Sequence, residues 1–199
     1  MACGLMLIAA ACMLTCRNLY EEKRAGEISA RTLKSILPRM EEAKNEAQSD
    51  GTAPPDYILN PNMDMPVIES EGREYIGALE VPALGIELPV ISRWSYDGLK
   101  AAPCRFEGSA YLDDMIIAAH NYRSHFSGLK NLSPGDEVLF TDADGNLFRY
   151  EVSGIEMLDE YDLDGLRAGE WDLTLFTCEL SGSSRVTVRC TRRAGIEYR

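Results

Sequence analysis

Three side chains in this sequence have the chemistry of a nucleophilic transfer site. Cys178 closes the run Thr174-Leu175-Phe176-Thr177-Cys178, His120 follows the apolar run Met115–Ala119, and Arg185 opens the run that ends at Cys190. A thiolate attacks carbonyl carbon, and an imidazole carries protons to leaving groups and from entering ones. A guanidinium donates two parallel bonds to a carbonyl or its oxyanion. With ordinary pKa values of about 8.5 and 6.5, roughly 3% thiolate and roughly 24% imidazolium exist at pH 7, so under ~1% of molecules hold both. Such a pair makes a slow enzyme unless the site forms an ion pair, and Arg185 would help by lowering the thiol pKa. A Cys and a His this far apart become a site only if the fold joins them.

The second histidine, His125, follows the polar stretch Asn121-Tyr122-Arg123-Ser124 and reads as a loop residue. A metal site on His120, His125 and Cys178 lacks ligand spacing, and the six cysteines fit no C-x-x-C or C-x-x-H pattern. No metal or other cofactor is expected. The 20 Lys+Arg against 32 Asp+Glu give a net charge of −12, and no basic patch suggests a nucleic-acid partner.

The elements that must carry these residues are strands. From Tyr75 onward short β-like runs alternate with turns: 76–82, 85–90, 115–119, 137–140, 147–152, 172–178 and 185–190. His120 and Cys178 each sit where a strand ends, the usual place for a scaffold to present side chains. In the last run Val186, Val188 and Cys190 share one face and Arg185, Thr187 and Arg189 the other. The valine face should point inward and Arg185 outward, beside Cys178 at an exposed loop mouth. Arg189, Arg192 and Arg193 are rivals for its role. Asp142-Ala143-Asp144-Gly145-Asn146 reads as a hairpin turn; its aspartates miss the calcium-loop spacing. Some eight strands at this spacing predict a closed or nearly closed β-barrel. Short helices are expected near residues 96–100, 126–132 and 163–168.

The chain before the barrel divides by charge. Residues 1–16 carry none, residues 17–50 carry seven of each sign, and the whole −12 lies in residues 51–199. The uncharged run spans roughly 22 Å as a helix, short of the ~30 Å hydrocarbon core. Residues 1–20 read as an N-terminal membrane anchor, with a cleaved signal peptide and a buried helix as alternatives. Arg17, Lys23 and Arg24 fit poorly with the positive-inside rule for an external barrel. Residues 21–48 read as a helical stalk, chiefly a solvated spacer, which Pro38 should kink or end. Residues 49–69, with four prolines, read as a linker or wrapped segment, and residues 70–199 as the catalytic barrel.

Thr174-Leu175-Phe176-Thr177-Cys178 followed by Arg185 resembles the signature of the sortases. Ala118-Ala119-His120-Asn121 resembles their histidine motif, with Ala119 where a Gly is frequent. Residues 76–82 and 88–90 resemble their opening strands, and Ser133-Pro134-Gly135-Asp136 their central turn. The resemblance covers about residues 70–193. It implies an eight-stranded barrel on a membrane anchor at the surface of mainly Gram-positive bacteria. It also implies a cysteine transpeptidase with Cys178 as nucleophile, His120 as general acid/base and Arg185 as oxyanion or substrate clamp. The implied substrate is an LPxTG-like sorting signal cut between Thr and Gly, and the acceptor a cell-wall or pilin amine. A hydrolase, or a non-catalytic binding module on the same barrel, is the alternative. Cys190 faces the core by alternation and Cys104 follows Pro103 in an expected loop. Free buried thiols are favoured over a disulfide between them.

Overall fold

The computed structural model describes residues 2–49, 54–178 and 182–193. Nine strands form one sheet: β1 (Ile68–Ser70), β2 (Arg73–Val81), β3 (Ile86–Ile91), β4 (Cys104–Glu107), β5 (Met115–Ala118), β6 (Glu137–Asp142), β7 (Leu147–Asp159), β8 (Leu173–Cys178) and β9 (Ser184–Arg192). Their order is β1-β2-β3-β4-β5-β8-β9-β7-β6, and β2 also pairs with β6. That last pairing closes the eight strands β2 to β9 into a barrel and leaves β1 as a short extra strand on its rim. The closure demands a glycine. At Gly77, with φ of 150°, an added Cβ would lie 1.9 Å from the Thr141 carbonyl oxygen across the β2–β6 seam.

The barrel interior follows the alternation. Leu79, Val81, Val90, Met115, Ile117, Phe140, Phe148, Leu175 and Val188 are buried in one inner cluster. A second cluster lies on the outer wall and joins Ile36, Met40, Tyr75, Cys104, Ile116, Ala118, Leu166 and Phe176. Two strands lie outside the sequence-based expectation. β1 is only three residues long, and β4 begins at Cys104, which was expected in a loop. Pairing sets β4: Cys104 stands opposite Ala118 and adjoins Ile91, contacts that no local pattern reveals. The β6–β7 turn is organised by Asp142. Its carboxylate accepts the Tyr111 hydroxyl at 2.8 Å, the Asn146 amide side chain at 2.9 Å and the backbone N–H groups of Asp144 and Asn146.

The short helices are α2 (Asp56–Leu59), α3 (Tyr96–Leu99) and α4 (Leu163–Arg167). The first belongs to the proline-rich segment, which wraps the barrel: Tyr57 stacks on Tyr111 at 4.7 Å, and Met65 is buried in the inner cluster.

The N-terminal region is a single helix, α1 (Ala2–Ser49), with Pro38 inside it. Pro38 removes one backbone bond but does not end the helix, because Ile36 and Met40 on either side are buried against the outer wall. Ala25, Ser29, Thr32, Ile36 and Met40 form a buried stripe at helical spacing. The solvated-spacer expectation therefore fails between residues 25 and 40. No described helix is long and apolar enough to cross a membrane.

Candidate active site

Three adjacent strands, β5, β8 and β9, bring the chemistry together. β5 and β8 run parallel with Ala118 opposite Phe176, and the Ala119 N–H donates to the Phe176 carbonyl at 3.1 Å. Two residues further along that register, His120 comes level with Cys178. β8 and β9 run antiparallel with Cys178 opposite Arg185. Cys178 thus stands opposite Arg185 across β8 and β9, and the β5–β8 register, carried two residues past the end of β5, brings His120 to its other side. The period of two does the rest. Ile116, Ala118 and His120, then Thr174, Phe176 and Cys178, then Arg189, Thr187 and Arg185 form three parallel rows on the outer wall.

The three groups differ in exposure. Cys178 is exposed, as attack on an outside carbonyl requires, and His120 is half-buried. Arg185 is also half-buried rather than exposed, which corrects the expected open loop mouth. Its Nε and Nη1 are buried without a hydrogen-bond partner among the described residues, and its guanidinium lies 5.4 Å from the Phe176 ring centre. A desolvated cation with free donors beside a thiol is poised to accept negative charge.

The rival arginines are occupied. Arg189 is buried and donates to Glu156, to the Leu166 carbonyl at 2.7 Å, to the Gly165 carbonyl at 2.6 Å and to Thr174 at 3.1 Å. It fastens α4 to the wall. Arg192 pairs with Asp113 and Arg193 with Glu151.

Burial pushes the His120 pKa below its ordinary value, Lys100 acts in the same direction, and Glu21 of α1 opposes both. The Tyr122 ring lies 4.9 Å from the imidazole. The lowered pKa makes the imidazolium scarcer at neutral pH than the reference arithmetic gives.

His125 lies in a loop, as its sequence indicates, but it is buried there. It is 1% exposed, and burial pushes its pKa down to about 4. Its Nε2 lies 3.2 Å from Ser29 Oγ, which spends its own proton on the Ala101 carbonyl at 2.8 Å. The ring is therefore neutral and donates from Nε2. Ser29 is a buried polar partner of His125 that sequence reasoning missed. Phe106, Trp94 and Tyr96 were missed as well. They continue from Phe176 as an aromatic file, with ring centres 5.5, 6.0 and 4.8 Å apart, along the wall below Cys178. Cys104 lies in the outer cluster and Cys190 in the inner one, both as free thiols, with burial pushing their pKa values up to about 11 and about 12.

No curated protein sequence matches the chain at the level that marks relatedness. Solved structures do. A Clostridium perfringens sortase D5 transpeptidase is 20% identical, with 84% of this chain and 99% of that one covered and a TM-score of 0.60. A Streptococcus pneumoniae sortase C-1 is 19% identical, with coverage of 82% and 100% and a TM-score of 0.60. A Listeria monocytogenes sortase A is 20% identical, with coverage of 60% and 87% and a TM-score of 0.54. These share the fold. The sortase domain family itself matches residues 79–193, more than half of the chain, from the last three residues of β2 through the end of β9. This protein belongs to the sortase family and is a cysteine transpeptidase of that type.

Proposed function

We propose that the protein cleaves an LPxTG-like sorting signal between Thr and Gly and transfers the acyl group to a cell-wall or pilin amine through a thioester on Cys178. The observation that supports this reading is the register across β5, β8 and β9: Cys178 is exposed opposite Arg185, whose Nε and Nη1 have no hydrogen-bond partner among the described residues, and His120 follows β5 two residues past Ala118. The Cys178 thiolate attacks the Thr carbonyl carbon, and Arg185 donates to the oxyanion. His120 protonates the leaving Gly amine as the C–N bond breaks. The incoming amine then attacks the thioester, His120 takes its proton, and Cys178 leaves as thiolate. Removing one oxyanion donor typically costs ~2.7–4 kcal/mol of transition-state stabilisation. The aromatic file from Phe176 to Tyr96 offers an apolar wall for the Leu-Pro portion. A substrate tethered at the same membrane is present at high effective concentration, which suits a slow enzyme. Residues 1–20, uncharged through Cys16 and exposed from position 4 onward, anchor the chain, with the barrel outside the cell.

A peptide carrying the sorting signal, incubated with and without a glycine- or lysine-based amine, tests the reaction. The expected products are a transpeptidation adduct with the amine and slow hydrolysis without it. Hydrolysis at the same rate, with no adduct at any amine concentration, would assign the protein as a hydrolase.

A further inference from the structure

α1 descends the barrel from one end to the other. Where its contact with the barrel begins, Glu22 accepts the Arg123 backbone N–H at 2.9 Å, three residues from His120. A Cβ on Gly26 would lie 3.1 Å from Ser124, and Ser29 meets His125. Further down, Arg31 pairs with Glu71, and Arg39 donates to the Glu69 carbonyl at 2.9 Å. Near its end, Met40 and Lys44 press on the β6–β7 turn, where a Cβ on Gly145 would lie 2.6 Å from Lys44. That turn is the far end of the barrel. β7 runs from Leu147 beside it to Asp159, opposite Ser184 and next to the Arg185–Cys178 level. The helix therefore begins its contact with the barrel at the mouth of the catalytic site.

Residues 4–20 precede that contact and stand clear of the barrel, exposed at every position. Leu5, Met6, Leu7, Ile8, Met13 and Leu14 are 60–77% exposed and point to all sides of the helix. A groove in a protein partner would cover one stripe; a helix that is apolar all round needs a medium that surrounds it. The helix has no Gly or Pro between Gly4 and Gly26, and Arg17 and Lys23 pair with Glu21 and Glu27 along its surface. It passes without a hinge from the free segment into the packed one.

We propose that the free apolar segment enters a phospholipid bilayer and that the rigid continuation of α1 holds the Cys178–His120 mouth facing the lipid headgroups. Six residues separate Cys16, the last of the uncharged run, from Glu22, a distance of about 9 Å. The mouth therefore lies at headgroup depth, and the β6–β7 end points away. A donor or acceptor fixed in the membrane reaches Cys178 by sliding along the surface, with no excursion into bulk water. This inference rests on the membrane reading given above and adds an orientation to it.

Two introduced tryptophans report the orientation. Arg123 is exposed three residues from His120, and Asp144 is exposed in the β6–β7 turn. Arg123→Trp and Asp144→Trp are each made in the full chain with Trp94→Phe and Trp171→Phe, and mixed with vesicles of phosphatidylcholine and phosphatidylglycerol doped with dansyl-phosphatidylethanolamine. Folding of each variant is checked by its thermal transition, with Tyr as the replacement where Phe lowers it. The expected result is co-sedimentation with the vesicles and energy transfer severalfold greater from position 123 than from position 144. Co-sedimentation with equal transfer, or with more from position 144, overturns the orientation and leaves the anchor standing. A chain that stays in the supernatant as a defined oligomer overturns both in favour of a helix–helix partner. Cleavage of a soluble sorting peptide is measured separately, so the assignment of the reaction does not depend on either result.

Discussion

On the inner face of β8 and β9, Leu173, Leu175, Val186, Val188 and Cys190 fill the barrel. On the outer face, one residue away in each case, stand Thr174, Phe176, Cys178, Arg185, Thr187 and Arg189. The same two strands serve two purposes because their side chains alternate with a period of two. The inner rows are interchangeable apolar groups whose value is the area they remove from water, about 2 kcal/mol for a buried Leu or Val side chain. The outer rows, apart from Phe176 in the outer apolar cluster, are polar or reactive groups whose value is position. Stability and reactivity are thereby carried on opposite sides of one backbone, and a substitution on either side should disturb mainly one of them. Arg189 is the exception. It lies on the reactive face, yet its donors are spent on α4, Thr174 and Glu156, so it behaves as structure.

The largest separation is expected at the outer ends of the rows. Cys178→Ala should abolish cleavage and transfer, and His120→Ala should lower the rate by about 10²–10⁴-fold, both with an unchanged thermal transition. Loss of stability in either variant would place these side chains in the packing. The converse holds for Leu175→Ala, one strand position from Phe176. It should cost about 2–5 kcal/mol in denaturant unfolding while the folded fraction keeps its rate per molecule. Arg185→Lys keeps the charge but loses the planar fork, so activity should fall by about 10²-fold or more with little change in stability. Arg189→Lys should show the opposite pattern. If Arg185→Lys is near wild type and Arg189→Lys is dead but folded, the clamp belongs to Arg189.

His125 sharpens the comparison through pH. Its folded pKa of about 4 lies below the ordinary 6.5, so the unfolded chain binds the proton first as pH falls. Its contribution is complete above pH 6.5 and lost as pH drops towards 4, a destabilisation of about 3 kcal/mol by linkage. His125→Gln, which can still donate to Ser29, should flatten that acid limb in melts taken between these pH values. An unchanged limb would mean that another group carries it.

Much of this was legible in the sequence because it is local. Alternation located seven of the barrel strands, and the strand-end positions of His120 and Cys178 follow from where apolar runs stop. The inward valines of β9 and the outward Arg185 follow from the same period. What was not legible is non-local. Nothing in Cys104–Glu107 marks it as a strand until Ala118 and Ile91 stand beside it. His125 reads correctly as a loop residue, but its burial depends on contacts from distant residues such as Ser29 of α1. The stripe Ala25, Ser29, Thr32, Ile36 and Met40 mixes polar and apolar residues, so its periodicity is weak. Arg185 reads as exposed because Phe176 and the outer wall that desolvate it come from elsewhere in the chain.

The central claim is that Cys178, set between His120 and Arg185, takes up the acyl group of a sorting signal. Intact-mass spectrometry after acid quenching of the enzyme with an LPxTG-type peptide tests it directly. The predicted result is a mass increase equal to the acyl portion, mapped by proteolysis to Cys178, lost on hydroxylamine treatment and absent in Cys178→Ala. Continued cleavage of the peptide by Cys178→Ala, or an adduct that maps to another residue, would contradict it.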